Sequence, residues 1–215
     1  MATTHTLSKD AEVIEMFSVP LYKFSIPNWE EEKKLILEAL PEEKIYTDIC
    51  TDFFENSNQR RLPSYTDLVL DIVGPSIQTL QDTLDKRAKG KSYFSEFHRH
   101  GGWMGLDNMW YQTEYKGQNH ELHNHGTIGW SSVLYVNYNP KVHSATKFLS
   151  PFGCGAGTGG LVQRFQPDVK EGDFIIFDSN IMHEALPNES DEKRTIISLN
   201  FQTLPLIPIK QYNTK

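Results

Sequence analysis

The chain has 215 residues, of which 38% are hydrophobic and 12% aromatic, and its formal net charge is −7. This composition can bury a core and excludes a disordered chain, while the negative charge disfavours a surface that wraps the phosphates of a nucleic acid. No apolar run approaches the roughly 20 residues that span a bilayer, so we expect no membrane insertion.

The two cysteines and the first ten residues bear on the compartment. Cys50 and Cys154 do not have the spacing of a disulfide framework or a metal motif, which is typical of a reducing environment. The segment MATTHTLSKD lacks the basic and then apolar layout of a signal peptide. We therefore expect a cytoplasmic protein.

The first predicted element is a β-rich segment, residues 15–26, that contains Pro20. Because proline cannot donate to a strand ladder, the segment is predicted to be an edge strand or an extended arm. An exposed arm of this kind could pair with a second copy of the chain and form a homodimer.

Two helices are predicted after this segment. Asn28 and Glu31 have the spacing of a capping box, and the helix they begin should end near Leu40, because Pro41 cannot continue it. Residues 44–65 have no clear period and are predicted to form a surface loop. A second amphipathic helix follows to about residue 86, with apolar residues at helical spacing and a kink or restart at Pro75.

From Trp103 onward the sequence changes to short β-rich segments separated by turn residues. The predicted strands are 105–116, 119–125, 129–138, 161–165, 173–178 and 194–203. Since the helices are confined to the first half, the pattern predicts a mainly β (α+β) protein in which helices pack on a β-sandwich or barrel, all in one domain.

Three histidines have the spacing of metal ligands. His123 and His125 are two residues apart in a predicted strand, so their side chains share one face. His183 directly follows the predicted strand 173–178, and a closed β-barrel brings such strand ends together. Neutral imidazole binds iron, zinc, copper and nickel alike, so the pattern predicts a metal site without naming the metal.

Other residues near this group are further candidates for metal ligands. Glu121 has the same strand parity as His123 and could supply a carboxylate, whereas His120 has the opposite parity and is expected to face solvent or to lie behind the ligands. Asp178 is a weaker candidate carboxylate. The single histidines elsewhere are predicted to be solvated; they are His5, His98, His100 and His143.

Arg194 admits two interpretations. It could be a surface residue paired with Asp191 or Glu192, which would contribute little to stability. Alternatively, it lies inside the barrel and binds a carboxylate through two parallel hydrogen bonds, since strand parity places it on one face with Ser198 and Asn200. Its position after the three histidines favours the second interpretation. Tyr135 could donate a hydroxyl to the same carboxylate or be a buried core tyrosine.

The glycine-rich stretch at residues 151–160 does not follow a strand and open a helix, as phosphate-binding loops do. It is predicted instead to be a mobile loop that could cover an active site.

The segments WYQTEYKGQNHELHNHGTIGWSSVLYVN, GDFIIFDSNIMHEALPN and RTIISLNF, with the earlier MFSVPLYK, resemble the Fe(II)/2-oxoglutarate-dependent oxygenases of marine bacteria and their phages, which are similar to prolyl hydroxylases. The resemblance implies a double-stranded β-helix (jelly roll) core at residues 101–205, with an N-terminal arm and supporting helices at residues 1–100. It also implies Fe(II), 2-oxoglutarate and O2, with hydroxylation of a protein side chain or small metabolite and release of succinate and CO2.

By this resemblance His123 and His183 are iron ligands, and Arg194, with Tyr135, anchors the far carboxylate of 2-oxoglutarate. The wider superfamily has Asp or Glu two residues after the first histidine, where this chain has His125. Either His125 is a third ligand, or Glu121 or water takes that position. Ile196 also replaces the serine that many relatives have two residues after the arginine.

Two other hypotheses remain open at this point. One is a cupin-type metalloprotein that does not use 2-oxoglutarate, which the GDFIIF segment before His183 also resembles. That hypothesis gives Arg194 no role. The other is a structural jelly roll whose histidines are incidental.

Overall fold

The computed structural model describes residues 19–46, 49–59, 61–88, 103–126, 129–153 and 162–204. Within these ranges the elements are β1 (Tyr22–Ser25), α1 (Trp29–Ala39), β2 (Ile45–Tyr46), β3 (Ile49–Thr51), α2 (Phe53–Gln59), α3 (Thr66–Ala88), β4 (Trp103–Glu114), β5 (His120–His123), β6 (Trp130–Asn137), β7 (Lys147–Gly153), β8 (Val162–Phe165), β9 (Asp173–Asp178), β10 (His183–Ala185) and β11 (Arg194–Leu204).

The strands form two sheets. A seven-stranded sheet has the order β1-β9-β6-β11-β4-β3-β2, and a four-stranded sheet has the order β5-β10-β7-β8. All pairings are antiparallel. The protein is therefore mainly β, with the double-stranded β-helix (jelly-roll) architecture that was predicted.

The seven-stranded sheet is buried on both faces because its side chains alternate between two cores. In β11, Ile197 and Leu199 face a core shared with the helices, which includes Ile36 of α1 and Val69 of α3. Ile196, one position away, packs in a second core between the sheets. Alternation along β11 therefore places a set of predicted residues on the face of the large sheet that is turned toward the small sheet. They are Arg194, Ile196, Ser198 and Asn200.

The six predicted strands are present with small shifts in their bounds. Four of the described strands were not predicted; they are β2, β3, β7 and β10. β10 has three residues, too few to show an alternation of polar and apolar side chains. In the pairing of β5 with β10, His183 lies directly opposite His123. This pairing joins the two predicted ligand segments.

Two predictions for the N-terminal half are wrong. Residues 44–65 are not a surface loop, since β2, β3 and α2 lie there, held by long-range contacts such as Tyr111 N–H to Asp52 Oδ1 at 3.0 Å. Asn28 has a φ of 53° and makes no side-chain cap, so the capping box does not form. Of the kink or restart predicted at Pro75, the restart does not occur, because α3 is one helix.

Other predictions for this half are confirmed. Helix α1 ends at Ala39, with Leu40 as its C-cap, as the proline at position 41 requires. β1 is an edge strand of the large sheet, next to β9.

None of the helices in the described parts of the chain is long and apolar enough to cross a membrane.

Some predictions fall outside the described residues: the solvated His5, His98 and His100, Cys154, and residues 154–160 of the glycine-rich stretch. His143 is described, and the prediction that it is solvated is wrong. It is 6% exposed, accepts the Asn139 N–H at Nδ1 and contacts the carbonyl of Glu192 through Nε2.

Candidate metal centre

The structure brings the three predicted histidine ligands together. His123, His125 and His183 each offer a ring nitrogen, and these atoms all lie within 4.8 Å of one another. The Nε2 atoms of His123 and His125 are 3.0 Å apart. His125 lies just after β5, where its backbone N–H donates to the carbonyl of Ser179.

The proton on each imidazole is positioned by an oxygen at Nδ1. His123 Nδ1 lies 2.6 Å from the carbonyl oxygen of Glu121, and His183 Nδ1 lies 2.9 Å from that of Ile181. His125 Nδ1 lies 2.9 Å from Oδ1 of Asn200. Because oxygen can only accept here, each Nδ1 carries the proton and each Nε2 has a free lone pair.

Burial keeps these imidazoles uncharged. Loss of solvent lowers the pKa of His183 to about 3 and that of His125 to about 4, and it also lowers the pKa of His123. The ligand atoms are therefore neutral lone pairs at neutral pH, which is the form that binds metals.

The donor set fits a metal ion. Two imidazole nitrogens that bind one ion at right angles, with bonds of about 2.1 Å, are separated by about 3 Å. The lone pairs of His123 and His125 have this separation, and they would repel each other without a cation between them. Imidazole is a ligand that suits iron, and the oxygen partner at each Nδ1 is the arrangement typical of metal-bound histidine.

His125, and not Glu121, lies in the cluster with His123 and His183. Its ring stacks on Trp110 at a centroid distance of 5.5 Å and 23° between planes. Asn200, its partner at Nδ1, is itself held by the hydroxyl of Ser131. Glu121 is exposed and is not part of the ligand cluster found among the described residues.

The two remaining candidates have other places. His120 stacks on His123 at a centroid distance of 4.0 Å, so it lies behind a ligand, as its strand parity indicated. Asp178 accepts the backbone N–H of Asn180 in a turn and is not part of the histidine cluster.

Arg194 lies in the interior and not on the surface. It is 3% exposed and forms an ion pair with Glu114, which is 2% exposed. Its other N–H groups donate to the carbonyls of Ser144 and Leu186. Burial raises the pKa of Glu114, and the adjacent guanidinium opposes that shift.

Sequence reasoning missed Glu114 as the partner of Arg194. The relation between the two residues becomes visible only when the pairing of β4 with β11 is known, because Arg194 and Glu114 are directly opposite each other in that register. Residues on one face of such a pair have Cβ atoms about 5 Å apart. The two surface partners considered for Arg194 have other contacts, since Asp191 pairs with Lys116 and Glu192 accepts a hydrogen bond from Nδ2 of Asn139.

Tyr135 is also buried, at 1% exposure. Its hydroxyl donates to Oγ1 of Thr146 at 3.0 Å and accepts the Thr146 N–H at 3.1 Å. Burial raises its pKa to about 12, and the positive charge of Arg194 acts weakly in the opposite direction. Arg194 and Tyr135 thus have protein partners in this structure, and their binding of a co-substrate stays a prediction.

A cavity of about 320 Å³ opens beside the histidines. It is lined by aromatic, aliphatic, hydroxyl, amide and imidazole side chains, which are Ile49, Thr51, Phe53, Phe54, Asn108, Trp110, Gln112, His120, His123, Asn124, His125 and Asn200. The sequence analysis had considered four of these residues, His120, His123, His125 and Asn200. Apart from Asn124, which lies between the two proposed ligands, the others come from β3, α2 and β4, which the pattern did not connect with the histidines.

Residues 108–200 match the model of a family described as "Putative 2OG-Fe(II) oxygenase". The matched segment contains all three histidines, Tyr135, Arg194 and Glu114. No curated protein matches the chain.

Solved structures show the same fold. The viral collagen prolyl hydroxylase of Paramecium Bursaria Chlorella virus-1, solved with 2-oxoglutarate, is 14% identical, with a TM-score of 0.55 over 86% of this chain and 96% of that chain. HygX from Streptomyces hygroscopicus, solved with nickel, 2-oxoglutarate and hygromycin B, is 10% identical, with a TM-score of 0.51 over 88% and 84%. The carbocyclase SnoK from nogalamycin biosynthesis is 10% identical, with a TM-score of 0.53 over 86% and 79%.

Proposed function

We propose that this chain is a 2-oxoglutarate-dependent non-haem iron oxygenase, as the match of residues 108–200 to the family model supports, and that it hydroxylates a protein side chain or a small metabolite. Substrate, O2 and 2-oxoglutarate would give hydroxylated substrate, succinate and CO2. One oxygen atom enters the substrate and the other enters succinate. The bound Fe(II) would supply the activation of O2 that links the two oxidations.

The observation that carries this proposal is the state of the three imidazoles. His123, His125 and His183 present neutral Nε2 lone pairs to one point, and each Nδ1 proton is taken by an oxygen. We propose that these three residues hold the iron. A three-histidine site carries one negative charge less than a site with two histidines and a carboxylate, and this should make it a weaker binder of divalent iron.

We propose Arg194 as the anchor for the far carboxylate of 2-oxoglutarate, with Tyr135 as a second contact. This role of Arg194 is supported by its contact with Glu114, because the guanidinium already pairs with a carboxylate inside the barrel. A dicarboxylate needs the same geometry. Because Glu114 supplies that carboxylate, the co-substrate must share the guanidinium with Glu114 or displace it.

The ion pair with Glu114 is also the observation that favours the second candidate function. If Arg194 is committed to Glu114, the chain would be a metalloprotein of the cupin type that binds iron without 2-oxoglutarate. The location in the cytoplasm and the pairing of two copies through β1 remain predictions from the sequence.

The test is an anaerobic titration of the purified apoprotein with Fe(II) and then 2-oxoglutarate. The titration is monitored through the weak visible charge-transfer absorption of the Fe(II)–2-oxoglutarate complex. We expect a band that requires both additions, and succinate formation when O2 is admitted. Iron that binds with no band and no succinate would support the second candidate instead.

Variants of the ligands provide the controls. His183→Ala should remove both iron and the band. His143→Ala removes a buried histidine that lies outside the cluster, so it should retain the iron stoichiometry even if its melting temperature falls. Equal iron content in the two variants would contradict the proposed ligand set.

A further inference from the structure

The cavity beside the histidines has an aromatic wall. Trp110 of β4 and Phe53 of α2 meet edge to face at 5.1 Å and 69°, and Phe54 contacts Phe53 at 5.4 Å. Phe54 is 42% exposed and Trp110 is 5% exposed, so the wall runs from the rim of the cavity to its floor. Such a surface favours a flat apolar group, which can stack on the rings or meet their edges.

One amide in the cavity has an atom without a partner. Gln112, Asn124 and Asn200 also line the cavity, and each has hydrogen bonds within the protein. Asn108 differs from them, because its Oδ1 is buried and has no hydrogen-bond partner among the described residues. Since buried polar atoms are nearly always paired, this acceptor requires a donor from outside the protein, and a rotation of the side chain toward the cavity would present it to a ligand.

Asn108 lies close to the metal ligands. In the β4–β11 register it is directly opposite Asn200, and Asn200 holds Nδ1 of His125. A molecule that donates a hydrogen bond to Asn108 would therefore be placed next to His125.

The cavity offers no side-chain charge. Among the described residues that line it, none is Asp, Glu, Lys or Arg, although the chain contains 21 Lys and Arg residues and 28 Asp and Glu residues. In the metal-free protein, a charged group would lose its hydration here without gaining an ion pair with a side chain.

We propose that this cavity binds an uncharged substrate that has a flat aromatic or heteroaromatic part, and that an N–H or O–H group of this substrate donates to Asn108. The volume of about 320 Å³ is at the lower end of the range for ligand sites, which suits a small molecule or a single side chain. This inference rests on the proposed function for the claim that the occupant is the substrate.

The test uses four probes of similar size that differ in charge and in hydrogen bonding. Benzamide is neutral and has N–H donors, N,N-dimethylbenzamide is neutral without them, benzoate is an anion and benzylamine is a cation at neutral pH. Binding to the full-length protein is measured by ligand-observed NMR, without metal and again with Fe(II) under anaerobic conditions.

We expect benzamide to bind the metal-free protein about tenfold more tightly than each of the other three probes. Asn108→Leu should weaken benzamide binding to the level of N,N-dimethylbenzamide and leave the latter unchanged. Asn137→Leu, at the far end of β6, is the matched control and should leave both unchanged. Equal binding of the charged probes, or unchanged benzamide binding by Asn108→Leu, would overturn the proposal.

A second variant guards against a folding defect in Asn108→Leu. Asn108→Asp places a carboxylate in the cavity and should reverse the preference from benzamide to benzylamine. An unchanged preference would contradict the role of Asn108.

The outcome can be separated from that of the Fe(II) and 2-oxoglutarate titration. A charge-transfer band in that titration, without benzamide binding here, would refute only the proposed substrate class. Benzamide binding without a band would refute the proposed function and leave the neutral cavity in place.

Discussion

The interior of the double-stranded β-helix contains two polar groups of opposite character. At Arg194, the guanidinium donates to Glu114 and to two backbone carbonyls. At the histidines, three neutral ring nitrogens lie within 4.8 Å of one another, and Oδ1 of Asn108 nearby is buried with no hydrogen-bond partner among the described residues. The two groups differ in their partners: the guanidinium contacts the protein itself, so a co-substrate must share or displace those contacts, whereas the histidines present lone pairs that a metal can bind directly.

The largest effect that tests this comparison is on stability. Glu114→Ala should lower the free energy of unfolding by about 3–5 kcal/mol, because it leaves the Arg194 charge buried without a partner. Denaturant unfolding measures the change, and His125→Ala is the comparison variant, with a much smaller expected loss. Similar losses for the two variants would mean that the two groups are equally structural.

The next prediction separates stability from co-substrate binding at Arg194. The double variant Glu114→Leu with Arg194→Met replaces both charges by apolar groups and should recover most of the stability lost in Glu114→Ala. We expect it to bind Fe(II) normally and to need far more 2-oxoglutarate for the charge-transfer band. A band at the wild-type 2-oxoglutarate concentration would exclude Arg194 as the anchor.

A smaller effect is expected from the residue that orients His125. Asn200→Leu removes the acceptor at Nδ1 of His125 and should weaken Fe(II) binding by about 10- to 100-fold. Anaerobic calorimetry measures this change, and Asn124→Leu, which lines the same cavity without holding a ligand, should keep the wild-type affinity. A normal affinity for Asn200→Leu would show that Trp110 alone positions His125.

The smallest effect is expected at the surface. Lys116 and Asp191 form an ion pair with side chains 60% and 90% exposed, so Lys116→Ala should change the free energy of unfolding by less than about 1 kcal/mol. Thermal unfolding at two salt concentrations provides the measurement. A loss comparable to that of Glu114→Ala would contradict the view that burial gives the interior pair its importance.

Strand parity predicted the grouping of the histidines and the inner face of β11, because the sheets are buried on one or both faces. In β11, the inner positions of Arg194 and Asn200 follow from alternation alone, and the two-residue spacing of His123 and His125 gave the ligand pair. These features repeat every two residues and need no knowledge of a partner strand.

The features that the sequence did not predict depend on partners far away in the chain. Glu114 is 80 residues from Arg194, and Asn108 becomes part of the cavity only through the β4–β11 register. Residues 44–65 had no period because their strands and helix are short. At Asn28 the side chain suited a cap, but the backbone adopts a left-handed conformation, and no sequence pattern distinguished the two.

Two of the proposed ligands are fixed by the same local arrangement. His123 and His183 each direct Nδ1 to the carbonyl of the residue two positions earlier in their own segment. The folded backbone thus sets the tautomer and the ring orientation, which lowers the entropic cost of binding a metal. We therefore expect that a chelator can strip the iron and that the metal can be returned to the same three histidines without unfolding of the protein.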